Sequence, residues 1–425
     1  MSEPMSLQTP IPTGGLLRRN PGFARLYLSA IVSFAGDWFA VVALQGLVLE
    51  TTGRPLLAGL MLATSTLPFA IVSPFAGVIA DRVDRRHLMI GADLARAGIA
   101  LGFLFARDAS TIWIAFVCTA LLSAFAPFFE PASSAALPNL VRREDLARAN
   151  VLMGSAWGTM LAVGAALGGV VAATLGRNAA FLMDSSSFVI SAVLLRSIRQ
   201  PFQESIREPS HVTVLQDIGL AIAFVRREAR VRAVLTAKAL FGSAGGTIAL
   251  LSTMAVQVYG RGDTGIGILM GARGLGAFAG PFLFRRFVLR NRDDRLLLSI
   301  GAAFAIFSVG YALFAGAPNI WLAAAAVCGA HIGGGANWTI STYALQRFTP
   351  DEMRGRIFSF DYALITMTMT TSLALAGFAA GRFHVRTVAF AFAMIGLTAT
   401  VAWTAWAWRL IGPRALRRGH PAPAP

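Results

Sequence analysis

Charged residues and cysteines are both scarce in this chain, and each scarcity excludes a class of protein. Only 14% of the 425 residues are charged, whereas a soluble domain typically carries roughly 25%, so the chain lacks the polar surface that a water-soluble fold needs. Both cysteines, Cys118 and Cys328, fall in apolar stretches, which argues against a disulfide framework and against a metal site. No Walker-type phosphate loop and no nucleophile motif is present in the sequence, so we expect no enzymatic activity and no cofactor.

Apolar residues are abundant and are gathered into long stretches. They make up 56% of the chain. Within each stretch they would occupy every face of a helix, without the single apolar face of a soluble amphipathic helix. A helix needs about 20 mostly apolar residues to cross roughly 30 Å of hydrocarbon. We therefore predict an all-α, polytopic membrane fold with twelve transmembrane helices, at 26–48, 55–80, 88–106, 111–130, 150–174, 178–196, 233–257, 264–284, 296–316, 320–345, 357–381 and 387–409.

The formal net charge of +16 fits either nucleic-acid binding or membrane topology, so the placement of the basic residues decides between them. With a cytoplasmic N-terminus, 28 of the 37 basic residues fall on the cytoplasmic side, which is the positive-inside pattern of membrane proteins. We predict a multi-pass protein of the bacterial inner membrane with both termini in the cytoplasm and no nucleic-acid partner. The six basic residues on the opposite side are Arg54, Arg107, Arg177, Arg261, Arg382 and Arg386.

The longest interruption of the apolar stretches divides the predicted spans six and six. Part of it, at 212–225, has an amphipathic pattern that predicts a helix along the membrane surface. The organisation predicted is a cytoplasmic N-terminus at 1–25, a six-helix bundle at 26–196, a cytoplasmic linker at 197–232, a second six-helix bundle at 233–409 and a cytoplasmic tail at 410–425.

The two predicted bundles contain similar segments at nearly the same offset. Residues 33–37 resemble 242–246, and residues 136–144 resemble 344–352. Paired six-span repeats are known from secondary transporters, in which the substrate site lies between the halves near the middle of the membrane. The repeat therefore predicts two pseudo-symmetric bundles with a site between them.

The loop after the second span carries a motif. Residues 77–86, with the sequence GVIADRVDRR, resemble the G-x-x-x-D-R-x-G-R-R signature of the major facilitator superfamily, with Asp84 in place of the second glycine. The resemblance implies a gating cluster that holds the halves together in the outward-facing state, formed by Gly77, Asp81, Arg82, Arg85 and Glu130. The alternative is a turn whose arginines only fix the topology. In the corresponding loop of the second half, Phe284 replaces the acid, so we expect the gating cluster in one half only.

Further segments are similar to the macrolide-efflux and enterobactin-exporter branch of that superfamily. They are FARL at 23–26, GDW at 36–38, DLARA at 93–97, FFEPA at 128–132, ALPNL at 136–140 and RGR at 354–356. This resemblance implies secondary export of amphipathic organic molecules. The segment GAALGG at 164–169 is similar to the antiporter motif G-P-x-x-G-G, with Ala165 in place of proline. It fits antiport or, alternatively, only close helix packing.

Two charges are expected near the middle of the membrane, where a charged side chain costs about 3 kcal/mol on insertion scales. Asp37 is central in the first span and Arg273 is central in the eighth, so they belong to opposite halves at matching depth. We expect them to form an ion pair or the two poles of one cavity, with a part in proton coupling or substrate contact. The alternative is a static pair that holds the two spans together.

Other polar residues also fall inside predicted spans. Asp93 and Arg96 are three residues apart and share a helix face, which predicts a structural pair. Asp184, in the sixth span, is a second candidate for protonation. Lys238 and Asp361 are expected to contact the opposite half rather than the substrate.

The tenth span combines three successive glycines with polar and aromatic residues. Asn337 and Trp338 follow the glycines and are expected to offer the substrate a hydrogen bond and a stacking surface. His331, one turn earlier, is interpreted as a satisfied polar residue, with a proton relay as the alternative.

These features predict a secondary active transporter that exports drugs, macrolide-like compounds or siderophores by alternating access, driven by proton antiport. We expect a monomer whose partners are the small-molecule substrate, protons and membrane lipid. A lipid or lysolipid flippase of the same superfamily is one alternative. A membrane sensor or scaffold that transports nothing is another.

Overall fold

Helices make up most of the computed structural model, which describes residues 13–142, 145–202, 214–289 and 293–411. Those ranges contain no β-strand. Nine helical stretches within them are long and apolar enough to cross a membrane, and two more, Ile112–Phe128 and Gly158–Thr174, are shorter apolar helices. The predicted all-α membrane fold is confirmed, whereas the number of twelve spans stays a prediction.

The first half begins with a short helix and a long one whose ends follow from their sequence. Pro21 starts the long helix, because proline lacks the N–H group that the first helical turn leaves unpaired. Gly53 ends it in the left-handed conformation, at a φ of 62°. The helices of this half are α1 (Thr13–Arg19), α2 (Pro21–Thr52), α3 (Pro55–Thr64), α4 (Leu67–Arg82), α5 (Arg85–Leu101), α6 (Ile112–Phe125), α7 (Glu130–Leu140), α8 (Leu146–Thr174) and α9 (Arg177–Arg196).

The second half contains a segmented helix where the sequence predicts a continuous span. A 3₁₀ turn at Gly245–Ile248 and a π-helical turn at Met254–Val258 interrupt it. The backbone N–H of Gly246 donates to Ser372 Oγ at 2.8 Å, so a contact with another helix replaces regular α-helical bonding here. The helices of this half are α10 (Val214–Arg227), α11 (Ala229–Ala244), α12 (Ala249–Thr253), α13 (Gly262–Leu289), α14 (Asp293–Gly316), α15 (Ile320–Phe348), α16 (Asp351–Ala380) and α17 (Val385–Ile411).

Among the described residues, the two halves pack most extensively where α8 meets α13 and where α3 meets α16. Glycines allow the close approach. A Cβ placed on Gly169 of α8 would lie 2.8 Å from the Cα of Gly267 in α13. A Cβ on Gly59 of α3 would lie 2.7 Å from the carbonyl oxygen of Leu373 in α16. Small residues at helix contacts are typical of membrane proteins, because helix association there depends on close backbone packing.

Both glycine contacts lie toward one end of the bundle, which we call the arginine-poor end. This end carries the loops at 53–54, 175–176, 259–261 and 381–384, where the positive-inside pattern predicts the extracytoplasmic side. The opposite, arginine-rich end carries the residue 77–86 motif and both ends of the described chain. The halves are therefore closely packed at the arginine-poor end.

Candidate functional site

The centre of the first half brings together three carboxyl groups and one guanidinium, which we call the carboxyl cluster (Asp37, Asp93, Asp184 and Arg96). Arg96 Nη2 donates to both carboxylate oxygens of Asp37, at 2.8 Å and 3.0 Å. Arg96 Nη1 lies 3.8 Å from Asp93 Oδ1, and the guanidinium carbon lies 4.0 Å from the centre of the Phe188 ring. Arg96 thereby connects α5 to α2 and α9.

The three carboxyl groups differ in what surrounds them. The Asp37 side chain is 32% exposed, and Asp93, although fully buried, accepts a hydrogen bond of 2.5 Å from Ser191 Oγ. Asp184 is also fully buried, but neither of its carboxyl oxygens has a hydrogen-bond partner among the described residues. It packs on Gly36, where an added Cβ would lie 3.0 Å from Asp184 Oδ1. An ionised carboxylate without a partner is costly in such surroundings.

The expected ion pair between Asp37 and Arg273 is not found among the described side chains. Asp37 instead pairs with Arg96, because the long arginine side chain of α5 reaches the neighbouring α2 within the same half. Arg96 also lies near Asp93, as its spacing on the helix predicts, but its shorter contacts are with Asp37. The alternative of two poles in one cavity stays a prediction.

Arg273 lies in the second half beside a hydrogen-bonded pair, and we call the three residues the Arg273 cluster (Arg273, Tyr311 and His331). Tyr311 Oη and His331 Nε2 are 2.9 Å apart. A Cβ placed on Gly276, one turn after Arg273 on α13, would lie 3.0 Å from the Cβ of His331. The tyrosine hydroxyl satisfies His331 within the core. A role for His331 in proton relay stays a prediction.

A separate ion pair joins α11 and α16 of the second half. Lys238 Nζ contacts Asp361 Oδ2 and also lies 4.7 Å from the centre of the Trp338 ring. Lys238 and Asp361, expected to contact the opposite half, therefore pair with each other within one half. Trp338 is 45% exposed, whereas its neighbour Asn337 is buried with neither amide atom hydrogen-bonded to a described residue. Substrate contact by these two residues stays a prediction.

An ion-pair cluster that the sequence analysis missed joins the halves at the arginine-poor end. We call it the Arg177 cluster (Glu50, Arg177 and Asp263). Arg177 Nε and Nη2 donate to the two carboxylate oxygens of Asp263 at 2.9 Å and 3.3 Å, and Nη2 also donates to Glu50 Oε2 at 2.6 Å. Asp263 belongs to the second half, whereas Glu50 and Arg177 belong to the first. Three charges that each begin or end a helix were the signal available in the sequence.

The predicted gating cluster lies mostly outside what the structure describes. The side chains of Asp81, Arg82 and Glu130, and the surroundings of Gly77, are not among the described ones. Arg85 Nη1 donates to the Phe202 carbonyl at 3.4 Å, within the first half. The gating role of these five residues therefore stays a prediction.

Asp84, which replaces the second glycine of the motif, has a structural role in the loop. Its Oδ1 accepts a hydrogen bond of 2.9 Å from the backbone N–H of His87. A short polar side chain before the first helical turn satisfies an N–H group that otherwise has no partner. The substitution in the motif therefore provides the N-cap of α5.

Comparison with known families assigns the chain. A family profile of the major facilitator type, described as transmembrane secretion effector, matches residues 17–410. The chain belongs to this family of transporters and is not an enzyme.

Several transporters are similar in sequence to large parts of the chain. Macrolide efflux protein A of Streptococcus pyogenes is 23% identical over 85% of this chain and 90% of its own length. The MFS-type transporter YkuC of Bacillus subtilis is 26% identical over 69% of this chain and 71% of its own. The multidrug efflux pump Tap of Mycobacterium tuberculosis is 27% identical, but the match covers only 48% of this chain and 50% of that pump.

Solved structures with similar folds are also transporters. A POT family transporter in complex with a thioalcohol-conjugated peptide has a TM-score of 0.76 at 11% identity, covering 94% of this chain and 99% of that one. A bacterial homologue of the lysosomal transporter Spinster, in an inward-facing and unoccupied conformation, has a TM-score of 0.71 at 14% identity, covering 96% and 99%. At these identities the likeness shows the shared fold.

Proposed function

We propose that the chain is a proton-coupled exporter of amphipathic organic molecules that works by alternating access in a bacterial inner membrane. The observation that carries the proposal is the carboxyl cluster, in which Asp184 is buried without a partner among the described residues. Ionisable groups inside membrane spans are costly, and in pumps and transporters they mark proton relays. The cluster offers three acids for one arginine, so a proton is exchanged without leaving an isolated charge in the membrane.

The position of Arg96 connects protonation to the packing of the helices. When Asp184 loses its proton, a further negative charge competes with Asp37 for the one guanidinium. Movement of Arg96 away from Asp37 weakens the contact between α5 and α2. Proton exchange at the cluster thereby changes the helix contacts on the first half's side of the proposed substrate site.

The Arg177 cluster and the glycine contacts support alternating access. Together they close the arginine-poor end, as an inward-facing state requires. In the outward-facing state these contacts break, and the predicted gating cluster at residues 77–86 closes the opposite end. Each end would then have its own set of charged contacts, which form in turn.

The substrate class rests on the relatives. Macrolide efflux protein A and the pump Tap support a drug or macrolide-like substrate, whereas a siderophore rests only on the branch resemblance in the sequence.

Everted membrane vesicles from cells without other efflux pumps test the proposal. Radiolabelled erythromycin and ethidium are the probes, and both should accumulate in response to an imposed pH gradient and be released by nigericin. Asp184→Asn should reduce gradient-driven accumulation to the level of empty vesicles at unchanged expression. Asp108→Asn, in an exposed loop, is the matched control and should transport normally.

Two outcomes contradict the proposal. Accumulation of both probes that is indifferent to the pH gradient excludes proton coupling. Wild-type accumulation by Asp184→Asn and by Asp37→Asn removes the carboxyl cluster from the coupling mechanism.

A second candidate function, lipid or lysolipid translocation, is favoured by a groove between α3 and α16. This cavity of about 470 Å³ is lined by six apolar residues and three threonines, and two of the apolar residues, Leu67 and Leu375, are exposed. A fluorescent lysolipid in proteoliposomes tests this candidate. Protein-dependent loss of fluorescence protection from dithionite supports it, and protection equal to that of protein-free liposomes excludes it.

A further inference from the structure

The proposed proton site does not use the guanidinium of Arg273, which is an intramembrane charge. It lies in the interior of α13, far from both ends of that helix. Within the part of the chain that the structure describes, no carboxylate pairs with Arg273, and its Nε atom has no hydrogen-bond partner. Nη1 has only the sulfur of Met270, at 4.0 Å, which is a weak acceptor. No described residue therefore compensates the charge of Arg273.

The residues around Arg273 are held in place and supply no negative charge. Tyr311 and His331 satisfy each other at 2.9 Å, and the Phe307 ring packs edge-on against both, with ring centres 4.8 Å and 5.4 Å away. None of these three side chains is an acid. These neighbours therefore supply no anion to balance the guanidinium.

We propose that Arg273 binds an anionic group, such as a carboxylate, on the exported amphipathic molecule. A guanidinium presents parallel N–H donors that match a carboxylate bidentately, and a charge-assisted bond of this kind strengthens where water is excluded. The proposal rests on the proposed export function and narrows its substrate class to molecules with an acidic group. The anion supplies the counter-charge that the second half lacks.

In this proposal, a path for the apolar part of the same molecule runs along α15. His331 and Trp338 are seven residues apart on α15, so they share a face and lie about 10 Å apart along the helix axis. Trp338 is 45% exposed and offers an aromatic surface at the other end of this path. Gly334, between them, lies close to the His331 ring, where a Cβ would be 3.3 Å from Nδ1. A molecule with an acid at one end and an aromatic or alkyl body fits this arrangement.

Equilibrium dialysis on the full-length protein in nanodiscs tests the proposal without any gradient. Two acid and amide pairs serve as probes: dansylglycine with dansylglycinamide, and decanoate with decanamide, each corrected for binding to empty nanodiscs. The acid of at least one pair should bind about tenfold to a hundredfold more tightly than its neutral amide, since a hydrogen bond to a charged group is lost in the amide. Arg273→Gln should abolish this preference, and Arg273→Lys should keep part of it.

Arg107→Gln is the matched control, because Arg107 lies in an exposed loop and should leave the acid preference unchanged. Each variant is first checked for a single size-exclusion peak and a thermal unfolding transition. If Arg273→Gln does not fold, the wild-type acid preference together with a reduced preference in Arg273→Lys supports the proposal.

Three outcomes would overturn it. Equal affinity for acid and amide in both pairs, or an undiminished acid preference in Arg273→Gln, excludes an anion site at Arg273. Complete displacement of both acids by an equal concentration of chloride shows a site for small inorganic anions only. Because no pH gradient is present, the binding result stands apart from the transport experiment, so failure of proton coupling leaves it intact.

Discussion

The centres of the two halves carry opposite excess charge, although both halves are helical bundles with similar sequence segments. In the first half three carboxyl groups belong to one cluster with Arg96, which contacts two of them, whereas in the second half Arg273 has no carboxylate partner among the described residues. An excess of either sign inside a membrane is costly unless something neutralises it. The difference between the halves suggests a division of roles, with a proton neutralising one centre and an anionic cargo the other.

Removal of the central arginine from each half gives the largest expected contrast. Arg96→Gln leaves Asp37 and Asp93 without their cation, so the free energy of unfolding should fall by about 3–5 kcal/mol, as when one partner of a buried ion pair is removed. Arg273→Gln leaves no carboxylate unpaired and should change it by less than about 1 kcal/mol. Denaturant titration of the purified variants, followed by tryptophan fluorescence, measures both.

The double variant Arg96→Gln with Asp37→Asn provides the control for the first half. It should recover part of the lost stability, because one orphaned charge is removed with its partner. Equal destabilisation by Arg96→Gln and Arg273→Gln would contradict the contrast between the centres.

Loss of the Arg177 cluster should produce an intermediate effect on how the halves meet. Asp263→Asn removes the charge that the second half contributes, while Glu50 continues to pair with Arg177. We expect the open population at the arginine-poor end to rise about tenfold, the equivalent of one charge-assisted hydrogen bond of about 1.4 kcal/mol. Spin labels at Arg54→Cys and His384→Cys, in a background without native cysteines, report the distance between the halves.

Glu50→Gln is the matched control for that measurement, since it leaves the Arg177–Asp263 contact between the halves intact. Its distance distribution should stay close to that of the wild type. An Asp263→Asn distribution identical to the wild type would mean that the glycine contacts alone close this end.

The smallest effect is expected for the compensated pair of the second half. Lys238 and Asp361 neutralise each other, so Lys238→Gln combined with Asp361→Asn should change the free energy of unfolding by less than about 1 kcal/mol, whereas either single change leaves a buried charge and should cost more. The double variant should transport erythromycin in everted vesicles at a rate close to the wild type. Loss of transport in the double variant would by itself show that this pair takes part in the mechanism.

The elements that the sequence predicts well are those fixed by local chemistry. Long apolar stretches predict membrane helices because no other segment satisfies its backbone groups in hydrocarbon, and this expectation is confirmed for most stretches. Gly53 at the end of α2, before Pro55, marks a helix boundary that the predicted spans place within a few residues. The breaks at Ser65–Thr66 and at Gly245–Ile248 were missed, because contacts between helices, rather than composition, decide where a span is segmented.

The sequence identified the residues of the candidate site better than it predicted which of them pair. Asp37, Asp184 and Arg273 stand out in the sequence because charges are rare in apolar stretches. The predicted ion pair between Asp37 and Arg273 was wrong. The depth of a residue in the membrane can be estimated from the sequence, but the rotation of each helix about its axis cannot. Asp93 and Arg96 were readable as neighbours because residues three apart on a helix share a face.

The amino-acid sequence was sufficient to predict that this chain crosses a membrane as helices and to place it in its superfamily, and the basic residues predict an orientation. These properties depend on composition, local spacing and a short motif, all of which are readable along one chain. Three features became visible only once the helices were packed together. Arg96 contacts Asp37 as well as Asp93, Asp184 has no partner among the described residues, and Arg177 binds Asp263 across the halves. Such contacts join residues 59 to 86 positions apart, and they depend on how helices rotate and cross when they pack.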